Sequence, residues 1–213
     1  VMVSLNTPPG MRTDQHRSAL VAAKNSGVRK IVYTSIQGAD EGTAFSPVVQ
    51  SNRHTEVDIR DLGFECAEGR NGIYIEPDVE YIETYRDEGE IANSAGDGVC
   101  GYTTRGELAA AYGNMALDDA HTGKTYALHG KPLTQGELVA HLNAAFDAHL
   151  VYRTMSVEDY RADRRAALGD TMGTIIAGIY EGIRNGVFDV PSDFEVVAGR
   201  PHQSWGDYFA SLR

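Results

Sequence analysis

Cysteine is scarce: Cys66 and Cys100 are the only two among 213 residues. They lack C-x-x-C spacing, so neither a disulfide framework nor a thiolate zinc site is expected, and a reducing, cytoplasmic setting suits them. Basic residues are few as well. Nineteen Lys and Arg stand against thirty Asp and Glu, a formal charge of -11. No basic run interrupts that acidic background, which argues against direct nucleic-acid binding. No apolar run approaches the roughly 20 residues a membrane-crossing helix needs, and the opening Val1 to Leu5 is too short for a signal sequence. Hydrolase signatures are also missing. The histidines form no H-E-x-x-H, so no metal site is expected, and there is no G-x-S-x-G elbow. No tyrosine has a lysine four residues on, which removes the Tyr-x-x-x-Lys proton-donor pair.

What is present is an ordinary globular composition, 42% hydrophobic and 23% charged, arranged as alternating strands and helices. Val1 to Leu5 reads as a buried strand, stopped by Asn6-Thr7-Pro8-Pro9-Gly10, whose prolines cannot continue a ladder. A helix follows over Gln15 to Ser26, with Thr13 or Asp14 as N-cap, Leu20 and Ala23 on one side, and Gly27 as its stop. Lys30 to Ser35 is β-branched and short, a buried parallel strand, so Val1 to Ser35 has the spacing of one βαβ unit. A second cycle places a helix over Val48 to Leu62 and a strand over Phe64 to Gly69, the latter weakened by Glu65 and Glu68. Beyond Asp78 the pattern changes to isolated helices opened by capping boxes at Thr104/Glu107, Thr134/Glu137 and Ser156/Asp159. Short strands lie between them at Lys124 to Leu128 and Leu150 to Thr154. These features predict an α/β fold: residues 1–77 as part of a parallel-sheet domain, and residues 78–213 as a smaller, mainly helical lobe, with a return of some of its segments to the sheet left open.

Two glycine patterns invite a nucleotide reading and fail it. Gly96, Gly98 and Gly101 spell G-x-G-x-x-G, but no helix opens directly after them, so the reading is a plain turn. Gly123-Lys124-Thr125 lacks the glycine a phosphate loop requires five positions earlier, where Asp118 stands. Position in the fold is the better guide, because open α/β sheets bind ligands beyond the carboxyl ends of their strands. Asn6 and Thr7 follow the first strand, Thr34 and Ser35 end the second, and Arg70-Asn71-Gly72-Ile73-Tyr74 follow the third. Turn chemistry alone would also account for such residues.

Several segments together resemble the NmrA-like branch of atypical short-chain dehydrogenases, and within it the type 2 NAD(P)H:quinone oxidoreductases. They are Gln15-His16-Arg17 through Ala22-Ala23-Lys24, Gly27-Val28, Tyr33-Thr34-Ser35, and Arg70-Asn71-Gly72 with Tyr74. The later part continues in the same order: Ala95-Gly96-Asp97-Gly98, Thr104-Arg105, Gly123-Lys124 with Tyr126, Leu128 and Gly130, Leu133-Thr134, and Ser156 to Tyr160.

The resemblance implies a Rossmann-like domain with a small α+β C-terminal substrate lobe, and NADP or NAD as cofactor. Members of the family begin with a strand, a glycine-rich turn and two further βα units ahead of the point where Val1 stands. Residues 1–77 are thus expected to be the C-terminal half of such a domain, with Val1 to Leu5 as an uncovered edge and a route to a homodimer. By the resemblance, Asn6, Thr7 and Pro8 line the cofactor, Tyr33, Thr34 and Ser35 flank the nicotinamide ribose, and Gly72, Ile73, Tyr74, Glu76 and Arg105 shape the pocket. Tyr74 is the aromatic candidate for facing a small-molecule substrate, a quinone or small carbonyl, with a core tyrosine as the alternative. Quinone reductases of this type carry Thr-Glu-Lys where this chain has Thr55-Glu56-Val57, so the ammonium is gone. Three readings stay open: an oxidoreductase, a nucleotide-sensing regulator without turnover, and a degenerate relative that binds no dinucleotide.

Overall fold

The computed structural model describes residues 1–5 and 7–213. Its elements run β1 (Met2–Val3), α1 (Pro9–Asn25), β2 (Lys30–Ile36), α2 (Ser46–Asp61), β3 (Glu65–Asn71), β4 (Ile73–Tyr74), α3 (Glu76–Glu80), α4 (Ile82–Glu88), β5 (Glu90–Asn93), β6 (Val99–Cys100), β7 (Tyr102–Thr103) and α5 (Arg105–Leu117). There follow β8 (Lys124–Leu128), β9 (Leu133–Thr134), α6 (Gln135–Phe146), β10 (Val151–Thr154), α7 (Val157–Leu168), α8 (Asp170–Arg184), α9 (Phe194–Ala198) and α10 (Trp205–Ala210). No helix among the described residues is long and apolar enough to cross a membrane.

A four-stranded sheet in the order β1-β2-β3-β8 organises the molecule, and every pairing in it is parallel. Parallel neighbours cannot be joined by tight turns, so a helix crosses over between each pair and covers a face. Side-chain alternation along β2 then divides the core. Ile31 and Tyr33 pack with Leu20 of α1 and Ile59 of α2, while Val32 joins Ala67, Leu108, Ala111, Tyr112 and Met115 on the α5 face. Both faces are covered, which is why β2 reads as a continuous apolar run. A third cluster unites the start of α2 with α6, α8 and α10. Three two-stranded pairs complete the fold: β10-β5, β4-β7 and β6-β9. β8, from beyond residue 78, lies in the main sheet beside β3.

Three local expectations change. The first helix starts at Pro9 rather than near Gln15, because proline suits the first helical position, where no amide partner is needed. The first strand is exposed rather than buried: it pairs with β2 alone, and Val1 and Val3 are 72% and 67% accessible. The box at Thr104 is half formed. Thr104 caps the Glu107 amide at 3.1 Å, but the Glu107 carboxylate pairs with Arg200 instead, whereas Thr134 and Glu137 form the full reciprocal box.

His16 ties β1 to both helices. Its Nε2 accepts the Leu5 amide at 3.0 Å, and Nδ1 lies 2.8 Å from the Thr55 hydroxyl. An amide donor on Nε2 requires the neutral ring. Burial, aided by the Arg12 charge, pushes the His16 pKa down to about 4. Since this lies below the unfolded value near 6.5, the neutral ring's contribution is complete above pH 6.5 and is lost as pH falls toward 4. We expect a loss on the order of 3 kcal/mol across that window. Urea unfolding at stepped pH checks it, and the step should flatten in His16→Asn.

Candidate active site

β3 ends at Asn71, and the chain turns through Gly72 into β4 without leaving the carboxyl edge of the sheet. The Gly72 amide donates to Leu128 O at 2.9 Å, and the Ile73 amide to Gly101 O at 3.1 Å. Only glycine fits at position 72: a Cβ there would overlap Gly101 O and stand 2.8 Å from the His129 Cβ. Pairing of Ile73 with Tyr102 and of Tyr74 with Thr103 delivers Arg105, the first residue of α5, beside Tyr74.

Five expected site residues therefore come together. Gly72, Ile73 and Tyr74 form the turn and strand. Glu76 Oε1 accepts the Arg105 amide at 2.6 Å, Arg105 Nη1 reaches Glu80 at 3.0 Å, and its guanidinium lies 6.0 Å from the Tyr74 ring centre. Tyr74 is 39% accessible, so it faces the surface and is not a core tyrosine. Its oxygen accepts a hydrogen bond from Asn71 Nδ2 at 3.2 Å. Asn71 is held in turn by Tyr112, whose hydroxyl is 2.6 Å from Asn71 Oδ1 and 2.9 Å from Gly69 O. Burial pushes the Tyr112 pKa well above the ordinary phenol value, with the Tyr74 phenol adding to the rise. Tyr112 accordingly stays protonated and remains a donor.

The other expected residues lie elsewhere. Tyr33 is fully buried, and its hydroxyl donates to Asn52 Oδ1 at 2.7 Å, so it serves the core beneath α2. Thr34 Oγ1 accepts the Ser4 amide at 3.0 Å, joining β2 to the end of β1. Ser35 donates to Glu56 at 2.6 Å, under a cluster in which Arg53 and Arg70 also bind Glu56. Pro8 caps α1; Thr7 gives its carbonyl to Arg12 at 2.8 Å. Asn6 lies outside the described residues. Position 57 is not in the crevice: Val57 is half exposed and lines a shallow cleft between α1 and α2 with Thr13, Asp14, Arg17, His54 and Asp58.

Sequence reasoning missed Asn71 as a site residue although it was in view after the third strand. It also missed Gln37, one step past β2, and Tyr112, which an alanine-rich helix gives no reason to single out.

No protein-family model matches the chain. Over 197 residues, 90% of its length, it is 30% identical to quinone oxidoreductase 2 of Escherichia coli strain K12, and the match spans 68% of that protein. The chain belongs to the NmrA-like, quinone oxidoreductase 2 family. A second family relative, an NmrA-like family domain-containing oxidoreductase of Aspergillus flavus, is 25% identical over 148 residues, 68% of this chain and 48% of that one. Among solved structures, the family fold is shared with the NADPH-dependent quinone oxidoreductase of Escherichia coli complexed with NADPH. There the TM-score is 0.88 at 28% identity, covering 99% of this chain and 74% of that one. The Citrobacter sp. triphenylmethane reductase complexed with NADP(H) gives a TM-score of 0.84 at 25% identity, covering 100% and 75%. The parallel sheet and its helices are thus those of Rossmann-like NAD(P)-binding reductases.

Proposed function

We propose that this chain is an NAD(P)H-dependent oxidoreductase that reduces a small acceptor, a quinone or a small carbonyl compound, in the crevice at Tyr74. The observation that carries this reading is the Tyr74 phenol, half exposed beyond the carboxyl end of β3 and held from behind by Asn71. Family membership supports it: the relatives' names specify quinone oxidoreductase activity and bound NADPH or NADP(H).

The polar groups beyond the strand ends fit a nicotinamide dinucleotide. Among the described residues, Thr7 Oγ1 and both polar atoms of the Gln37 carboxamide are buried without a protein partner, and Glu76 Oε2 is in the same condition. Buried donors and acceptors are normally satisfied, so such groups at strand ends favour a ligand rich in hydroxyls and amides. Thr7, Pro8 and Gln37 would hold the cofactor, and Gly72, packed against the Gly101 carbonyl, would set the turn that brings Tyr74 toward it. When bound, the reduced nicotinamide supplies the hydride, the two electrons of the reduction. Tyr74 supplies a proton to the oxygen of the acceptor, and the Arg105 guanidinium above its ring favours the negative charge that develops there. Residues 78–213, apart from β8 and the helices α5 and α9 that pack on the main sheet, would form the lobe that covers the acceptor and excludes water.

Tyr74→Phe keeps the ring and removes the proton. With a carbonyl acceptor, kcat should fall by about 100-fold while KM changes little. A quinone, whose reduced oxygen tolerates negative charge, should lose less. Equal activity of the two proteins on both acceptors would remove Tyr74 from the chemistry. A nucleotide-sensing protein would bind NADPH and turn over neither acceptor.

A further inference from the structure

We propose that Tyr112 and Asn71 form a positioning relay that keeps the Tyr74 hydrogen free for the acceptor; this rests on the reading of Tyr74 as proton donor. The distances decide the direction of the chain. The 2.6 Å between Tyr112 Oη and Asn71 Oδ1 suits an O–H···O bond and is short for an amide donor, whereas the 3.2 Å between Asn71 Nδ2 and Tyr74 Oη suits an N–H donor and is long for a hydroxyl. Tyr112 has one hydrogen and two acceptors in reach, Asn71 Oδ1 at 2.6 Å and Gly69 O at 2.9 Å; the shorter contact takes the larger share, so Tyr112 donates to Asn71 and Asn71 donates to Tyr74. The reverse orientation of the amide would have Tyr74 give its only hydrogen to Asn71, leaving none for a substrate.

Nothing in the relay is loose. Asn71 is 4% and Tyr112 6% accessible. Asn71 is also fixed through its backbone, whose carbonyl accepts the Gln37 amide at 2.9 Å. The Tyr112 hydroxyl lies so close over Gly69 that a Cβ at that position would overlap it. A single-residue change in α5 thus reaches the crevice through one amide.

The acceptor carbon gains the hydride from a reduced nicotinamide, the C=O π pair passes to oxygen, the Tyr74 O–H bond breaks, and its proton joins that oxygen. Solvent returns a proton to the exposed phenolate. In the interval the Asn71 N–H stabilises the charge on Tyr74, so Asn71 acts twice, as an aligner before transfer and as a donor after it.

The test uses Asn71→Asp and Tyr112→Phe beside Tyr74→Phe. Aspartate keeps the shape and the acceptor for Tyr112 but offers no N–H, so Tyr74 must turn its hydrogen inward. Tyr112→Phe keeps the buried ring and frees the amide to rotate, which guards against a failure of Asn71→Asp to fold. With a carbonyl acceptor, kcat should fall by about 10- to 100-fold in both, with KM within about twofold. Independently of turnover, the Cζ resonance of 13C-labelled Tyr74 in the ligand-free protein, assigned by its loss in Tyr74→Phe, should move in both variants. An unmoved resonance, or wild-type kcat in both variants while Tyr74→Phe is impaired, overturns the relay and leaves the functional reading standing. Full activity of Tyr74→Phe overturns the proton-donor role and the relay's purpose together. A wild-type protein without turnover sinks the functional reading, and the resonance alone then supports or overturns the relay.

Discussion

Glu56→Ala is expected to destabilise the protein by about 3–5 kcal/mol, the cost of leaving buried charge without its partner. Glu56 is 1% accessible. Its carboxylate accepts from the Ser35 hydroxyl at 2.6 Å, from Arg53 at 2.9 Å, and from Arg70 at 3.1 and 2.7 Å. Removal would strand two guanidiniums. Arg53, with a side chain only 17% accessible, retains Asp40 at 3.4 Å; Arg70, 38% accessible, can turn toward water. These escapes put the expectation at the lower end of the range. Burial pushes the Glu56 pKa up, but the hydrogen bonds from Arg70 and Ser35 and the two arginine charges outweigh it and hold the pKa below its ordinary value of 4.5. A depressed carboxylate stabilises the fold above its unfolded pKa and ceases to do so as pH falls through the folded one. Wild type should therefore lose this contribution below pH 4.5, and Glu56→Ala should show a flatter acid limb. Urea midpoints at pH 7 and pH 3.5 read both effects, and equal midpoints for the two proteins at pH 7 would show the cluster to be superficial.

Gly69→Ala should be the second costly change, by about 1–3 kcal/mol from overpacking. Its new Cβ would overlap the Tyr112 hydroxyl and lie 2.7 Å from Leu128 Cδ1. Tyr112 and Leu128 are both buried in one cluster, so both must give way, and a displaced phenol would carry Asn71 with it. Thermal unfolding measures the stability loss. Normal stability with a normal Tyr74-dependent kcat would mean that the crowding at Gly69 is readily relieved.

Periodicity made much of the fold legible. Ile31-Val32-Tyr33 between two helices announced a buried parallel strand, and each of Thr104, Thr134 and Ser156 does cap its helix. Pro8-Pro9 misled because proline marks both the end of a strand and the start of a helix, and only the following contacts distinguish these. The candidate site was legible where place in the chain decided position: Gly72 and Tyr74 stand one turn past a strand. It was not legible where strand alternation decided, since Tyr33 and Ser35 share the face that α2 covers. Pairings across sequence were invisible. Arg70 was in view without Glu56, fourteen residues earlier, and Tyr112 meets Asn71 from forty-one residues away.

On the proposed function, this chain takes electrons from a reduced nicotinamide and passes them to an organic acceptor. This is tested most directly by following nicotinamide absorbance when the protein is mixed with NADPH and p-benzoquinone. Quinone-dependent oxidation of NADPH, proportional to protein and above the uncatalysed rate, is the expected result. Folded protein that binds no NADPH and leaves that rate unchanged would contradict it.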